Sequence, residues 1–236
     1  MDNLIVALDL PSAEDALALV DRLGEPAGYY KVGAQLFTRA GPPLVAELKD
    51  RGKKVFLDLK YHDIPYTVAR SVEAAAGLGV DMLTVHASGG STMMRAARDA
   101  AADGPTLVAV TLLTSLSGTD VEEAWGTELR SIRDDVARLA ALAADAGLDG
   151  VVSSALEVEA LKRRHGAAFV AVTPGIRPDG QESEDQTRVT TPAEAVRAGA
   201  DYLVVGRPVH AAADPVAAYR SILDSIATER DAGGSG

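Results

Sequence analysis

The chain has 236 residues, 47% of them hydrophobic, with 34 acidic against 23 basic side chains for a net charge of −11, and it has no cysteine. That length and apolar content suit one large domain or two small ones with a sizeable core, and they exclude a disordered chain. The acidic balance argues against a general affinity for nucleic acid or anionic membranes, which takes clustered Lys and Arg. Without cysteine there are no disulfides, thiolate zinc sites or cysteine nucleophiles.

The amino terminus runs directly into "NLIVALDL" with no basic segment or cleavage site. No apolar stretch approaches the ~20 residues of a membrane span, so the chain is expected to be soluble and cytoplasmic. A first strand is predicted at 4–9, "LIVALD". The helical pattern "SAEDALALVDRLG" follows, with Ser12 as N-cap, Asp15 three residues on and Gly24 as the stop. Further strands are predicted at 29–34, 54–59, 81–86, 106–113, 149–154, 168–173 and 201–206. Ala-rich amphipathic stretches such as "ARLAALAADAGL" and "TPAEAVRAGA" lie between them. Strands apolar on both faces that alternate with helices imply a parallel sheet. Eight such units in about 230 residues match a (β/α)8 TIM barrel. The rival, a doubly wound open sheet, would carry G-x-G-x-x-G after its first strand, where this chain reads "ALDLPSAED". No Pro/Gly-rich linker divides the sequence. The expectation is one α/β barrel domain over 1–230 and a disordered tail, "DAGGSG", over 231–236.

Chemistry in such a barrel sits at the C-terminal strand ends. The first strand ends at Asp9, the second carries Lys31, and the third ends with Asp58 and Lys60. Strict alternation would point Asp58 and Lys60 one way and Leu59 the other. The fourth strand ends at His86, the fifth runs into Thr114, the seventh meets "TPGIR" and the eighth "GRP". Any one of these could be a solvated strand end. Two lysines and two aspartates from three consecutive strands facing one mouth point to a shared purpose. Arg207, directly after the eighth strand and beside Gly206, fits the usual barrel phosphate site. The long polar segment 175–191 exceeds a typical connection. The histidines at 62, 86, 165 and 210 lack ligand spacing, so no metal is expected. The glycines of "HASGGS" (86–91) read as turn and helix-start geometry, and "TDVEEAWG" with Trp125 as an outer loop or helix start.

The stretch "DLKYHDIPYT" (58–67) resembles the D-x-K-x-x-D-I-P signature of the orotidine 5'-phosphate decarboxylases. "ALDL", "KVG", "TVHASGG", "TLLTS", "TPGIR", "DQTRV" and "VVGRPV" extend the resemblance in order along every strand but the sixth. Tyr61 departs from the phenylalanine that many members carry. The resemblance implies loss of CO2 from orotidine 5'-monophosphate to give UMP, the last step of de novo pyrimidine nucleotide synthesis, without a cofactor. Lys60 would protonate pyrimidine C6, Asp58 and Asp63 would keep Lys60 charged and aimed, and Lys31 would balance their charge. Asp9 and Lys31 would meet the ribose hydroxyls and Thr114 the pyrimidine. Pro174, Arg177, Gln186, Gly206 and Arg207 would complete the substrate site, with 175–191 as a lid. The resemblance further implies a homodimer in which Asp63, Ile64 and Thr67 reach the partner's site. Two rivals stand beside it. A metal-dependent sugar-phosphate decarboxylase or aldolase of the same superfamily would carry an acidic ligand where Lys31 stands, and would lack the I-P. A non-catalytic nucleotide binder would have no need of the four charges.

Overall fold

The structure, a computed structural model, describes residues 3–126, 131–178 and 188–233. Its strands are β1 (Leu4–Ala7), β2 (Tyr29–Gly33), β3 (Lys54–Tyr61), β4 (Met82–His86), β5 (Thr106–Val110), β6 (Gly150–Val152), β7 (Val170–Thr173) and β8 (Tyr202–Val205). They pair in parallel in chain order and close into a barrel, with β8 returning to β1. The expected (β/α)8 TIM barrel is what forms. Most strands end earlier than the apolar runs suggested. β1 stops at Ala7 and β5 at Val110, so Asp9 and Thr114 stand on the loops beyond them.

The helices are α1 (Ala13–Leu23), α2 (Ala34–Asp50), α3 (Pro65–Ala76), α4 (Gly90–Ala101), α5 (Gly118–Trp125), α6 (Ile132–Asp145), α7 (Ala155–His165), α8 (Pro192–Arg197), α9 (Arg207–His210) and α10 (Pro215–Gly233). Ser12 caps α1 as expected, its hydroxyl accepting the Asp15 N–H at 3.1 Å, and Gly24 ends the helix at φ 64°. Within α2, Gly41 at φ 59° precedes Pro42 and Pro43 and kinks the helix. Trp125 closes α5, an outer helix whose first turn holds Thr119 and Asp120, with the Arg138 guanidinium 6.0 Å from its ring centre. At the other terminus α10 continues to Gly233, so the segment expected as a tail begins as helix, and 234–236 lie outside the described residues. Among the described residues no helix is long and apolar enough to cross a membrane.

Alternation along the strands splits the core in two. Val6, Tyr30, Val32, Leu57 and Leu83 face outward into the shell under the helices, while Ile5, Ala7, Tyr29, Phe56, Met82, Val108, Val172 and Val204 fill the barrel. Tyr29 meets Tyr202 edge-on at 5.9 Å within this plug. Two residues up from Tyr29 the same face carries Lys31, and two up from Phe56 it carries Asp58. The interior therefore changes from apolar to ionic within one layer.

β3 departs from the even pleat. Leu57 pairs with Leu83, but the next partner pair is Tyr61 with Val85, so four residues of β3 span two of β4. Asp58 and Lys60 share the cavity side and Leu59 packs on the other, as alternation predicts, but through a bulge in which Lys60 sits in the left-handed region at φ 52°.

On the far side of the barrel, β6 passes β7 closely at Gly150, where an added Cβ would run into the Val170 carbonyl and lie 2.6 Å from the Val170 Cβ. Gly150→Ala is expected to lower the unfolding free energy by about 1–3 kcal/mol. Urea unfolding measures this, and a parental midpoint would show that the two strands separate without cost.

Candidate active site

Asp58 is the centre of the mouth. Its side chain is only 10% exposed, and one oxygen, Oδ2, lies 2.8 Å from Lys60 Nζ and 3.6 Å from Lys31 Nζ. Lys31 Nζ also donates to Asp9 Oδ1 at 3.0 Å. The result is a chain of alternating charge, Asp9–Lys31–Asp58–Lys60, delivered by the ends of β1, β2 and β3. Gly33 makes room for it, since a Cβ there would come within 3.1 Å of Lys31 Nζ and 3.3 Å of Asp9 Oδ1. Burial pushes the Asp58 carboxyl up, but the Lys31 and Lys60 ammoniums and the hydrogen bonds from Lys60 and Thr84 outweigh it. The group is held below the usual carboxylate range.

The other oxygen, Asp58 Oδ1, accepts the Thr84 hydroxyl at 3.0 Å, and Thr84 Oγ1 in turn accepts the backbone N–H of Lys60 at 2.8 Å. A non-glycine residue at positive φ costs about 1–3 kcal/mol and persists only where its surroundings hold it. Here the ion pair at one end of Lys60 and the Thr84 hydroxyl at the other do so.

These charges form one wall of a cavity of about 470 Å³. Ala7, Phe56, Val110, Val152 and Val204 floor it, and Thr114, Pro174, Gly206 and His210 stand around it with Arg177 and Arg207. Arg177 is buried, donates to the Ile176 carbonyl at 2.9 Å, and is shifted below its ordinary pKa by that burial and by Arg207. Backbone bonds clamp its segment: Arg177 N–H to the Thr190 carbonyl at 2.9 Å, and Thr190 N–H to that of Gly175 at 3.2 Å. Next to Thr190, Arg188 reaches into the fold to pair with buried Glu157 at 3.1 Å. At Gly206 a Cβ would find only ordinary contacts, 3.7 Å to Ala7 Cβ and 3.8 Å to His210 Nε2, so what the missing side chain leaves open is cavity space.

The structure thus brings together Asp9, Lys31, Asp58, Lys60, Thr114, Pro174, Arg177, Gly206 and Arg207. It does not bring Asp63, Ile64 or Thr67 to this cavity. They are exposed beyond it, with Asp63 Oδ1 accepting the Ile64 N–H at 2.6 Å. Gln186 lies outside the described residues. Sequence reading missed Gly33, Thr84, His210 and the Glu157–Arg188 pair. For Thr84 a signal existed, as a polar residue on the interior face within "MLTVH".

A profile of the orotidine 5'-phosphate decarboxylase / HUMPS family matches residues 2–222. The chain belongs to this family. The orotidine 5'-phosphate decarboxylase of Moorella thermoacetica is 51% identical over 233 residues, 95% of this chain and 92% of its own. That of Vibrio campbellii is 50% identical over 230 residues, 96% of this chain and 98% of its own. The crystal structure of orotidine 5'-phosphate decarboxylase from Lactobacillus acidophilus matches with a TM-score of 0.84 at 40% identity, over 96% of this chain and 99% of that one.

Beside the ion array of this family member, His86 and His62 stack with ring centres 5.4 Å apart. Burial, then His62 and Lys60, push His86 down to about 4 against the opposing pull of Asp58. As pH falls below the ordinary value of 6.5, the unfolded chain therefore takes up this proton before the folded one does, and stability is lost until about pH 4. Asp58, depressed as well, loses its contribution at lower pH still. Urea unfolding from pH 7 to 4.5 should show a steeper loss in the parent than in His86→Gln. Equal slopes would place the titration elsewhere.

Proposed function

We propose that this protein decarboxylates orotidine 5'-monophosphate to UMP and CO2 without a cofactor, completing pyrimidine nucleotide synthesis in the cytoplasm. The observation that carries the reading is Lys60, held 2.8 Å from a buried, ionised Asp58 above an apolar floor. Breaking the C6–carboxylate bond leaves an electron pair in the plane of the pyrimidine ring, where the π system cannot take it. Enzymes lower barriers by roughly 8–23 kcal/mol, and here fixed charge is the means at hand. Lys60 stabilises the developing carbanion and gives C6 its proton, leaving as a neutral amine to be reprotonated. Asp58 keeps Lys60 charged before that step, and Lys31 balances Asp58 and Asp9.

Arg207 and Arg177, neighbouring cations close enough for Arg207 to lower the pKa of Arg177, suit a phosphate dianion. Asp9 and Lys31 take the ribose hydroxyls, Thr114 and Pro174 the pyrimidine side, and Gln186 is a further substrate contact. The metal-dependent chemistry of sugar-phosphate relatives fits less well, because the Lys31 ammonium already stands between the Asp9 and Asp58 carboxylates.

The same reading makes the protein a homodimer. Asp63, Ile64 and Thr67 lie outside their own cavity, and Ile64 and Tyr66 are 65% and 74% exposed beside it. A second copy would cover these apolar groups and receive Asp63 at its own Lys60.

Mixing the protein with orotidine 5'-monophosphate and a chelator should give the absorbance change of UMP formation. No turnover overturns the reading, and turnover abolished by the chelator favours the metal chemistry. Lys60→Ala should lower kcat by more than about 100-fold, whereas Arg207→Ala should chiefly raise KM. Mixing Lys60→Ala with Asp63→Ala subunits should restore about a quarter of parental sites, since half of randomly paired dimers are mixed and each has one whole site. No recovery after verified exchange would assign Asp63 to its own subunit.

A further inference from the structure

We propose that Thr84 is a positioning residue for the Asp58–Lys60 pair, its single hydroxyl fixing both the turn of the Lys60 backbone and the orientation of the Asp58 carboxylate. The inference rests on the decarboxylase reading above. Thr84 is fully buried in β4, and its Oγ1 lies 2.8 Å from Lys60 N and 3.0 Å from Asp58 Oδ1. The roles at this oxygen are fixed by chemistry. A backbone N–H can only donate and an ionised carboxylate can only accept, so the hydroxyl receives from Lys60 and gives to Asp58. The bulge in β3 carries the Lys60 N–H out of the regular ladder between Leu57 and Tyr61, and Thr84 is the group that receives it. Binding Oδ1 turns the carboxylate so that Oδ2 meets both ammoniums, Lys60 at 2.8 Å and Lys31 at 3.6 Å. A valine would fill the same volume on this strand. The hydroxyl adds only those two bonds, and both end on the reacting pair.

The test compares Thr84→Val, Thr84→Ser and Thr84→Cys with the parent, in kcat for orotidine 5'-monophosphate and in affinity for UMP. Misplacing a catalytic group by about 1 Å can cost about 100-fold, so Thr84→Val should lose about 30-fold in kcat with UMP affinity within about threefold. Thr84→Ser, which keeps the hydroxyl, should recover to within about fivefold of the parent, and Thr84→Cys, a weaker donor and acceptor, should fall between. Parental kcat in Thr84→Val, an equal loss of UMP affinity, or Ser as impaired as Val would each overturn the proposal. Should Thr84→Val not fold, the Ser–Cys pair decides, and Cys equalling or exceeding Ser overturns it. A parent with no turnover removes the decarboxylase reading and this inference together, whereas an active parent with an equally active Thr84→Val removes this inference alone.

Discussion

A carboxylate withdrawn from water at the mouth of the barrel governs how this protein is built. Burying such an ion costs several kcal/mol, and only close, well-aligned partners offset it. Asp58 has them on both oxygens: two ammoniums on one side and a hydroxyl on the other. Each partner comes from a different place in the fold. Lys31 rises from β2, Thr84 from β4, and Lys60 returns from the same strand through a bulge. Remove the pairing of β3 with β2 and β4 and these groups have no reason to meet. The site thus shares its determinants with the fold, even though its residues add little to the hydrophobic core.

The cavity has two poles. At one, lysines and aspartates compensate each other at distances of 2.8–3.6 Å. At the other, Arg177 and Arg207 are neighbours of like sign. On the decarboxylase reading the arginine pole holds the phosphate, far from the bond that breaks. Its binding energy can then be used to hold the pyrimidine against charges that favour the transition state more than the bound substrate.

The barrel was legible in the sequence because its signals are local. Apolar runs, the Ser12 cap and the Gly24 stop each act over a few residues, and eight repeats leave few topologies. The strand-end charges Asp9, Lys31, Asp58 and Lys60 were legible for the same reason: polar residues at the close of apolar strands. What escaped depends on register between strands. Nothing within "DLKYHDIP" reports that Tyr61, not Leu59, will face Val85, so neither the bulge nor the left-handed Lys60 could be read. Thr84 was overlooked because a threonine in a β-strand is ordinary until its neighbour is known. Gly33 lies inside the predicted strand 29–34, and its function of leaving room for the Lys31 ammonium is visible only in three dimensions. The separation of Asp63, Ile64 and Thr67 from their own cavity, by contrast, agrees with the expectation that they serve a partner's site.

The alternation of Asp9, Lys31, Asp58 and Lys60 sums to no net charge, in a protein that carries −11 overall. A neutral cluster whose charges sit this close acts as a multipole, and its field is confined to its immediate surroundings. Dissolved ions screen over about 8–10 Å at ordinary ionic strength, too coarse a scale to reach inside such a cluster. At the other pole Arg177 and Arg207 are neighbours of like sign, and they stand against the repulsion that the acidic surface exerts on any anion. On the decarboxylase reading, then, salt acts on the capture of substrate, while the bond-breaking step proceeds in an electrostatic setting that the solvent hardly alters.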